Sequence, residues 1–313
     1  MTEVDVDALL KDVDGDVATE LSSKPEVIDK GHSLDVGKLP IEARKWHKLR
    51  DAVAVVADLK SSTQLGLNKH AASTASIYEA ATGGVVQIFG EFEADFVAIQ
   101  GDGAFGLFWG DHRKRRAVCA GITIQTFGVK HLVPRLEKKW EGLPETGLKV
   151  GIGNSPLLVK RVGIPRTDHQ EPVWAGRAVN YAAKAAQQAD RNQMIITGTI
   201  WDWVSGNDYL ALSCPCGSDQ NSNGASPDIW EDVTINKIPE DDADREGKLL
   251  TSAWCDIHGL EYCSAILSGK TKRPAVSDKR IAALTLEMKK AIRSKAAIAR
   301  RNYRARVEGL RNN

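Results

Sequence analysis

A chain of 313 residues is long enough for about two domains of ordinary size, and 42% hydrophobic content is typical of a globular protein. A formal net charge of +1 provides no overall field for nucleic acid or an anionic membrane surface, and no run of about eighteen apolar residues is present to cross a bilayer. The acidic start MTEVDVDALLKDVDGD lacks the layout of a secretion signal, so a cytoplasmic location is expected, where five cysteines are not expected to form a disulfide framework.

Residues 1–45, with the short amphipathic segment VDALLKDV, read as an N-terminal extension. DAVAVVADL (51–59) is a β-branched, Ala-rich run that predicts a buried strand. The following segment reads as a helix, a Gly-Gly break and a second helix, with Ser61, Ser62 or Thr63 as cap. DFVAIQ, GDG and AFGLFWG predict a hairpin. Residues 113–140 carry apolar residues at helical spacing, LKVGIGNSPLLVKRVG is a strand leading to a second hairpin arm, WAGRAVNYAAKAAQQAD is an Ala-rich helix and QMIITG a strand. The order β-α-α-β-β-α-β-α-β, with antiparallel strands in the middle and crossover helices on one face, predicts an α+β domain with a ferredoxin-like core. A polar Cys-containing insertion occupies about 206–263, in which WEDVTINKI and EYCSAIL read as late strands. The domain should end near 270, and 271–313 is a basic segment, with eleven Lys/Arg against three Asp/Glu from residue 277. Ile281, Leu284, Met288 and Ile292 lie close to one face, so a helix packed on protein is favoured over a nucleic-acid contact.

Asp102 sits between two glycines, and Asp-Gly between apolar runs is a hairpin signal. Asp58, however, closes the first strand, and the hairpin should pair beside it. Two carboxylates at one end of adjacent strands, next to a Ser/Thr-rich helix start, suit a hard cation such as Mg²⁺ or Mn²⁺ together with a polyphosphate. Backbone N–H groups at 60–63 would face that phosphate.

These residues also resemble a family. ADLKSST, IQGDGAFGLF, KVGIGNSPLLVKRVG and WAGRAVNYAAKAAQQADRNQMIITG resemble, in order and spacing, the four motifs of class III nucleotide cyclases over about residues 46–200. The resemblance implies a palm-type domain. Asp58 and Asp102 would be carboxylate ligands of two ions, with the Leu59 carbonyl a further ligand. Asn180 would orient the ribose, and the 3′-hydroxyl of a nucleoside triphosphate would attack its own α-phosphate, expelling pyrophosphate. The family's transition-state Arg is Lys184 here; Arg177 is the other candidate cation. Lys237 resembles in position a late Lys on the terminal phosphates. The two polar residues with which adenylate cyclases read the purine edge fall at Ala98 and Val173, neither of which can donate or accept through its side chain. Trp46, Lys60 and Arg177 are nearby candidates for the base.

With intact metal aspartates and no purine-reading pair, the chain looks most like the pyrimidine cyclases of bacterial Pycsar antiphage systems, in their uridylate branch. That resemblance implies UTP as substrate, cyclic UMP as a messenger for a separate effector, and a head-to-tail homodimer in which Asp58 and Asp102 face the partner's helix bearing Asn180 and Lys184. A purine cyclase with unfamiliar base contacts and a silent nucleotide-binding dimerisation module are the rival readings. Cys214, Cys216, Cys255 and His258, with Cys263 as a spare, have zinc-ligand types at uneven spacing. Reduced thiols on a hairpin-like insertion are the favoured reading there, and structural Zn²⁺ the lesser one.

Overall fold

The computed structural model describes residues 4–39, 44–65, 70–164, 167, 169–214, 216, 228–273, 276, 292, 294, 295 and 298. The chain divides into two compact units, Met1–Asp51 with Pro156–Gly176, and Ala52–Ser155 with Arg177–Asn313.

In the first unit, α1 (Val6–Leu21) is capped by Asp5, whose carboxylate accepts the Ala8 N–H at 3.0 Å. It has no buried residue, and Val6, Leu10, Val13, Val17 and Leu21 are exposed. Strand β1 (Glu26–Asp29) runs parallel to the first residues of β2 (Lys45–Leu59), with Glu26 opposite Lys45. The extension is thus ordered as a helix and a strand, and β2 starts well before Asp51. The far half of β5 (Leu148–Gly163) pairs antiparallel with β6 (Gln170–Gly176), from Leu157↔Gly176 to Gly163↔Gln170.

The second unit is built on a sheet. After β2 come α2 (Ser62–Leu65), α3 (Ala71–Glu91), β3 (Phe96–Gln100), β4 (Gly103–Phe108), α4 (Arg113–Phe127), α5 (Val133–Lys139) and the first half of β5. Then follow α6 (Arg177–Gln188), β7 (Gln193–Ile196), α7 (Gly198–Val204), α8 (Asp208–Ala211), β8 (Trp230–Thr234), β9 (Glu246–Leu250) and α9 (Gly259–Leu267). The strand order is β3-β4-β2-β5-β7-β9-β8, with β7 parallel to β5 and the β3·β4, β2·β4, β7·β9 and β8·β9 pairs antiparallel. Within it β2, α3, β3, β4, α4 and β5 make the βαββαβ ferredoxin-like core that the element order predicts.

Three expectations give way. Alternate residues of a strand face opposite sides of a sheet. Val53, Val55 and Ala57 of β2, Val150 and Ile152 of β5, and Met194 and Ile196 of β7 join the core beneath α3 and α4. The intervening Gly151, Gly153 and Ile195 instead meet α6. Helices therefore cover both faces of the sheet, not one. EYCSAIL is helix α9, because Tyr262, Ala265 and Ile266 are buried at helical and not strand spacing. The Gly83-Gly84 pair does not break α3. A Cβ at Gly84 would lie 2.5 Å from the Phe127 ring of α4, whereas one at Gly83 meets nothing within 4 Å. One glycine lets two helices approach and the other has no packing role. Of the basic C-terminal helix expected over 271–313, residues 271–273 and 276 are described and are not helical, while Ile292, Ser294, Lys295 and Ile298 are, with Lys295 bound to Asp202 at 3.1 Å; the rest lies outside the described residues.

Gly84→Ala should therefore lower stability by about 1–3 kcal/mol through overpacking, while Gly83→Ala should raise it by about 0.5–1 kcal/mol. Thermal melts of the two variants check this, and equal shifts would contradict the packing assigned to Gly84.

Candidate active site

Asp58 is the penultimate residue of β2. The β2·β4 register, Val53↔Phe108 to Ala57↔Ala104, places it opposite Gly103 one step further on. The approach is close, since a Cβ at Gly103 would lie 2.6 Å from the Ala57 carbonyl oxygen and 3.5 Å from Asp58 Oδ1. Gln100 pairs with Gly103, leaving a two-residue loop of Gly101 and Asp102. Gly101 has φ +63° while Asp102 is not in the left-handed region, which is the pattern of a II′ hairpin turn. Asp102 is thus a turn residue, and the turn delivers its half-buried carboxylate to the same end of the sheet as Asp58. No hydrogen bond or ion pair to a described residue engages Asp102. Asp58 is bound by Lys149 of β5 at 2.7 Å. Lys149 went unnoticed in the sequence, although it shares the strand face of Gly151 and Gly153, which α6 covers.

That face explains the GIG motif. A Cβ at Gly151 would lie 2.0 Å from the Ala182 carbonyl oxygen, and one at Gly153 would lie 2.7 Å from that of Ala178. Helix α6 packs backbone to backbone on β5, which its buried Ala178, Ala182, Ala185 and Ala186 permit. Ser155 fixes its start by accepting the Ala178 N–H at 2.8 Å. A cavity of about 200 Å³ lies beside Asp58, lined also by Gln100, Phe105, Val179, Ala183 and Gln187.

Asn180 and Lys184 are one turn apart on α6, and neither lines this cavity. Asn180 is exposed, and Lys184 Nζ sits 5.2 Å over the Tyr181 ring with no ion pair to a described residue. Arg177 is held by Asp242 at 2.9 Å, and that hydrogen bond raises its pKa further. Asp242, not foreseen from the sequence, also accepts the Tyr181 hydroxyl at 2.8 Å. Burial, then the Asp242 hydrogen bond, push the Tyr181 phenol up to about 12.

Near the helix start, Ser61 adopts φ +60° and its carbonyl accepts from Gln64 and Leu65. Ser62 is half-buried and Thr63 exposed. The Lys60 N–H donates to Gly147 at 2.9 Å, so it is not a free phosphate donor. The Lys60 ammonium pairs with Asp190 and with Glu145, and its pKa is raised by these bonds, Asp190 first. Leu59 is buried. Ala98 of β3 pairs with Phe105 of β4, and Val173 is 42% exposed in the first unit. Lys237 lies after β8, not within it, and donates to Gln187 at 2.7 Å, on the rim of the cavity.

Phenol ionisation is opposed in the fold, so the stability that Tyr181 contributes is complete below pH 10 and fades as the pH rises towards about 12. Tyr181→Phe should cost about 1 kcal/mol at pH 7–9, and the deficit should shrink above pH 10 in denaturant titrations. A deficit that stays constant up to pH 11.5 would contradict the Asp242 contact.

No protein-family profile matches the chain. It is 74% identical over 310 residues, covering 99% of this chain and all of the relative, to a uridylate cyclase of Micromonospora echinofusca. It is 47% identical over 292 residues, 92% of each chain, to a uridylate cyclase of Propioniciclava tarda. Among solved structures it is similar to an adenylyl cyclase of P. aeruginosa, with TM-score 0.49 and 13% identity over 65% of this chain and 93% of that one. By its likeness to these relatives over nearly its whole length, the chain belongs to the uridylate cyclase family.

Proposed function

We propose that the protein converts UTP to 3′,5′-cyclic UMP and pyrophosphate at the strand end bearing Asp58 and Asp102, with UTP bound between two copies of the chain. The observation that carries this is the II′ turn, which brings the Asp102 carboxylate, unengaged among the described residues, to the strand end of Asp58. The activity named in the 74% and 47% identical relatives supports the choice of UTP.

The donor set fits a hard divalent cation: two carboxylates and the Leu59 carbonyl, all oxygen, with the Gly103 backbone admitting close approach. Asp58, Leu59 and Asp102 would hold two Mg²⁺ or Mn²⁺ ions, which when bound lower the pKa of the 3′-hydroxyl and neutralise phosphate charge. Lys149 orients the Asp58 carboxylate through their ion pair and yields it as substrate binds.

A cavity of about 200 Å³ is smaller than the roughly 300–1,000 Å³ of ligand sites, so one chain accommodates part of the nucleotide. Asn180 and Lys184 project from α6 away from that cavity, in position to complete the site of a partner. Two equivalent composite sites then arise from one two-fold contact. Lys184 serves as the phosphate cation in preference to Arg177, because Asp242 already neutralises Arg177. Asn180 orients the ribose. Ser61, Ser62 and Thr63 lie near the triphosphate, with Lys60 and Lys237 as adjoining charges. The apolar Ala98 gives a purine edge no hydrogen-bond partner, and an unpaired polar edge is what a site rejects most strongly. The domain that performs this chemistry spans 46–270. Cyclic UMP leaves as a diffusible messenger for a separate effector in antiphage defence in the cytoplasm.

Incubation with ATP, GTP, CTP and UTP separately, with Mn²⁺ and with Mg²⁺, should yield 3′,5′-cyclic UMP by mass spectrometry, and Asp102→Ala should abolish it. Cyclic AMP or GMP as main product would overturn the base assignment. Full activity in Asp102→Ala would overturn the site.

A further inference from the structure

Remote from the carboxylates, three of the five cysteines and one histidine converge. Cys214 and Cys216 follow α8, and Cys255 and His258 precede α9. One ligand atom from each lies within 4.8 Å of all the others. His258 Nδ1 is 3.1 Å from Cys214 Sγ and 3.0 Å from Cys216 Sγ. A tetrahedral ion with metal–sulfur bonds of about 2.3 Å and metal–nitrogen bonds of about 2.0–2.1 Å spaces its ligands about 3.5–3.8 Å apart. We infer that Cys214, Cys216, Cys255 and His258 bind a structural Zn²⁺.

Several features around the cluster suit that ion. The backbone N–H groups of Ile257 and His258 donate to the Cys255 sulfur, which fixes its place in the C-x-x-H turn. The His258 ring is stacked on Tyr262 with centroids 5.7 Å apart, which fixes its orientation. Three thiolates and one imidazole around Zn²⁺ carry a net charge of −1. Arg273 supplies the countercharge. It is 6% exposed, lies 5.2 Å over the Tyr262 ring, and donates to the Tyr262 hydroxyl at 3.0 Å and to the carbonyl of Ser213, beside Cys214, at 2.8 Å. Its Nε and Nη2 have no hydrogen-bond partner among the described residues, and no described carboxylate is ion-paired with its guanidinium. A buried, unpaired guanidinium is costly, and an adjoining anionic centre offsets that cost.

The remaining thiols are excluded as ligands. Cys263, the spare in the sequence reading, hydrogen-bonds Cys119 in the core beneath α4. Four protein ligands leave no open position, which marks a structural rather than a catalytic ion. It would tie the segment after α8 to the start of α9 across the forty intervening positions between Cys214 and Cys255.

The test is metal analysis of the full-length protein purified in reductant without added zinc, together with chelation and reconstitution by cobalt(II). About one zinc per chain is expected, retained in Cys263→Ser and in Asp102→Ala, and lost in Cys255→Ser and His258→Ala. The cobalt form should show thiolate-to-metal charge transfer and tetrahedral d–d bands. Should Cys255→Ser fail to fold, the cobalt spectrum of the wild-type chain still decides. Folded wild-type protein that neither retains zinc nor gives that spectrum would overturn the inference. So would loss of the ion in Cys263→Ser or Asp102→Ala, or a disulfide among Cys214, Cys216 and Cys255 that persists in reductant.

Discussion

Ala182 lies so near β5 that a methyl group at Gly151 would come within 2.0 Å of its carbonyl oxygen. With Gly153 under Ala178 and Ser155 capping the first turn, three alternate residues of one strand set the height, direction and rotation of α6. That rotation turns Val179 and Ala183 over the cavity at Asp58 and leaves Asn180 and Lys184 outside it. A bulkier residue at Gly151 or Gly153 would lift the helix and disturb both groups at once. The division of labour proposed for the dimer, carboxylates from one chain and Asn180 with Lys184 from the other, is therefore built into a contact within a single chain.

The opposite wall depends on a comparable closeness. Gly103 lets the β3–β4 hairpin press on the end of β2, and Gly101 takes the positive φ that the turn needs. Asp102 satisfies a turn and supplies a carboxylate at the same time. Among the described residues its side chain has no partner, while Asp58 has Lys149. In the proposed site this asymmetry would let cationic charge enter at Asp102 before Asp58 releases its lysine.

Much of this was legible in the sequence because the informative signals are local. Alternation in DAVAVVADL, the Gly-Asp-Gly turn and the Ala-rich face of α6 each specify an element within a few residues. Lys149 and Asp242 were not legible. Their partners are distant in the chain, and a lone Lys opening a strand or an Asp in DDAD has no period to mark it. The side of the sheet that α6 occupies was missed for a related reason: two glycines in a strand do not say which helix their bare backbone will meet. The cysteines looked ill-spaced because C-P-C departs from the usual two-residue gap and the second pair is far away. Folding of α8 and α9 closes that distance, which sequence spacing cannot express.

The most direct measurement of the central claim is complementation between two inactive variants, Asp102→Ala and Asn180→Ala. Each alone should make no cyclic UMP. Mixed in equal amounts and allowed to exchange subunits, half the dimers become mixed, each with one intact site, and activity should return to about a quarter of the wild-type value per chain. No recovery, with subunit exchange verified by native mass spectrometry, would contradict a site assembled from two chains.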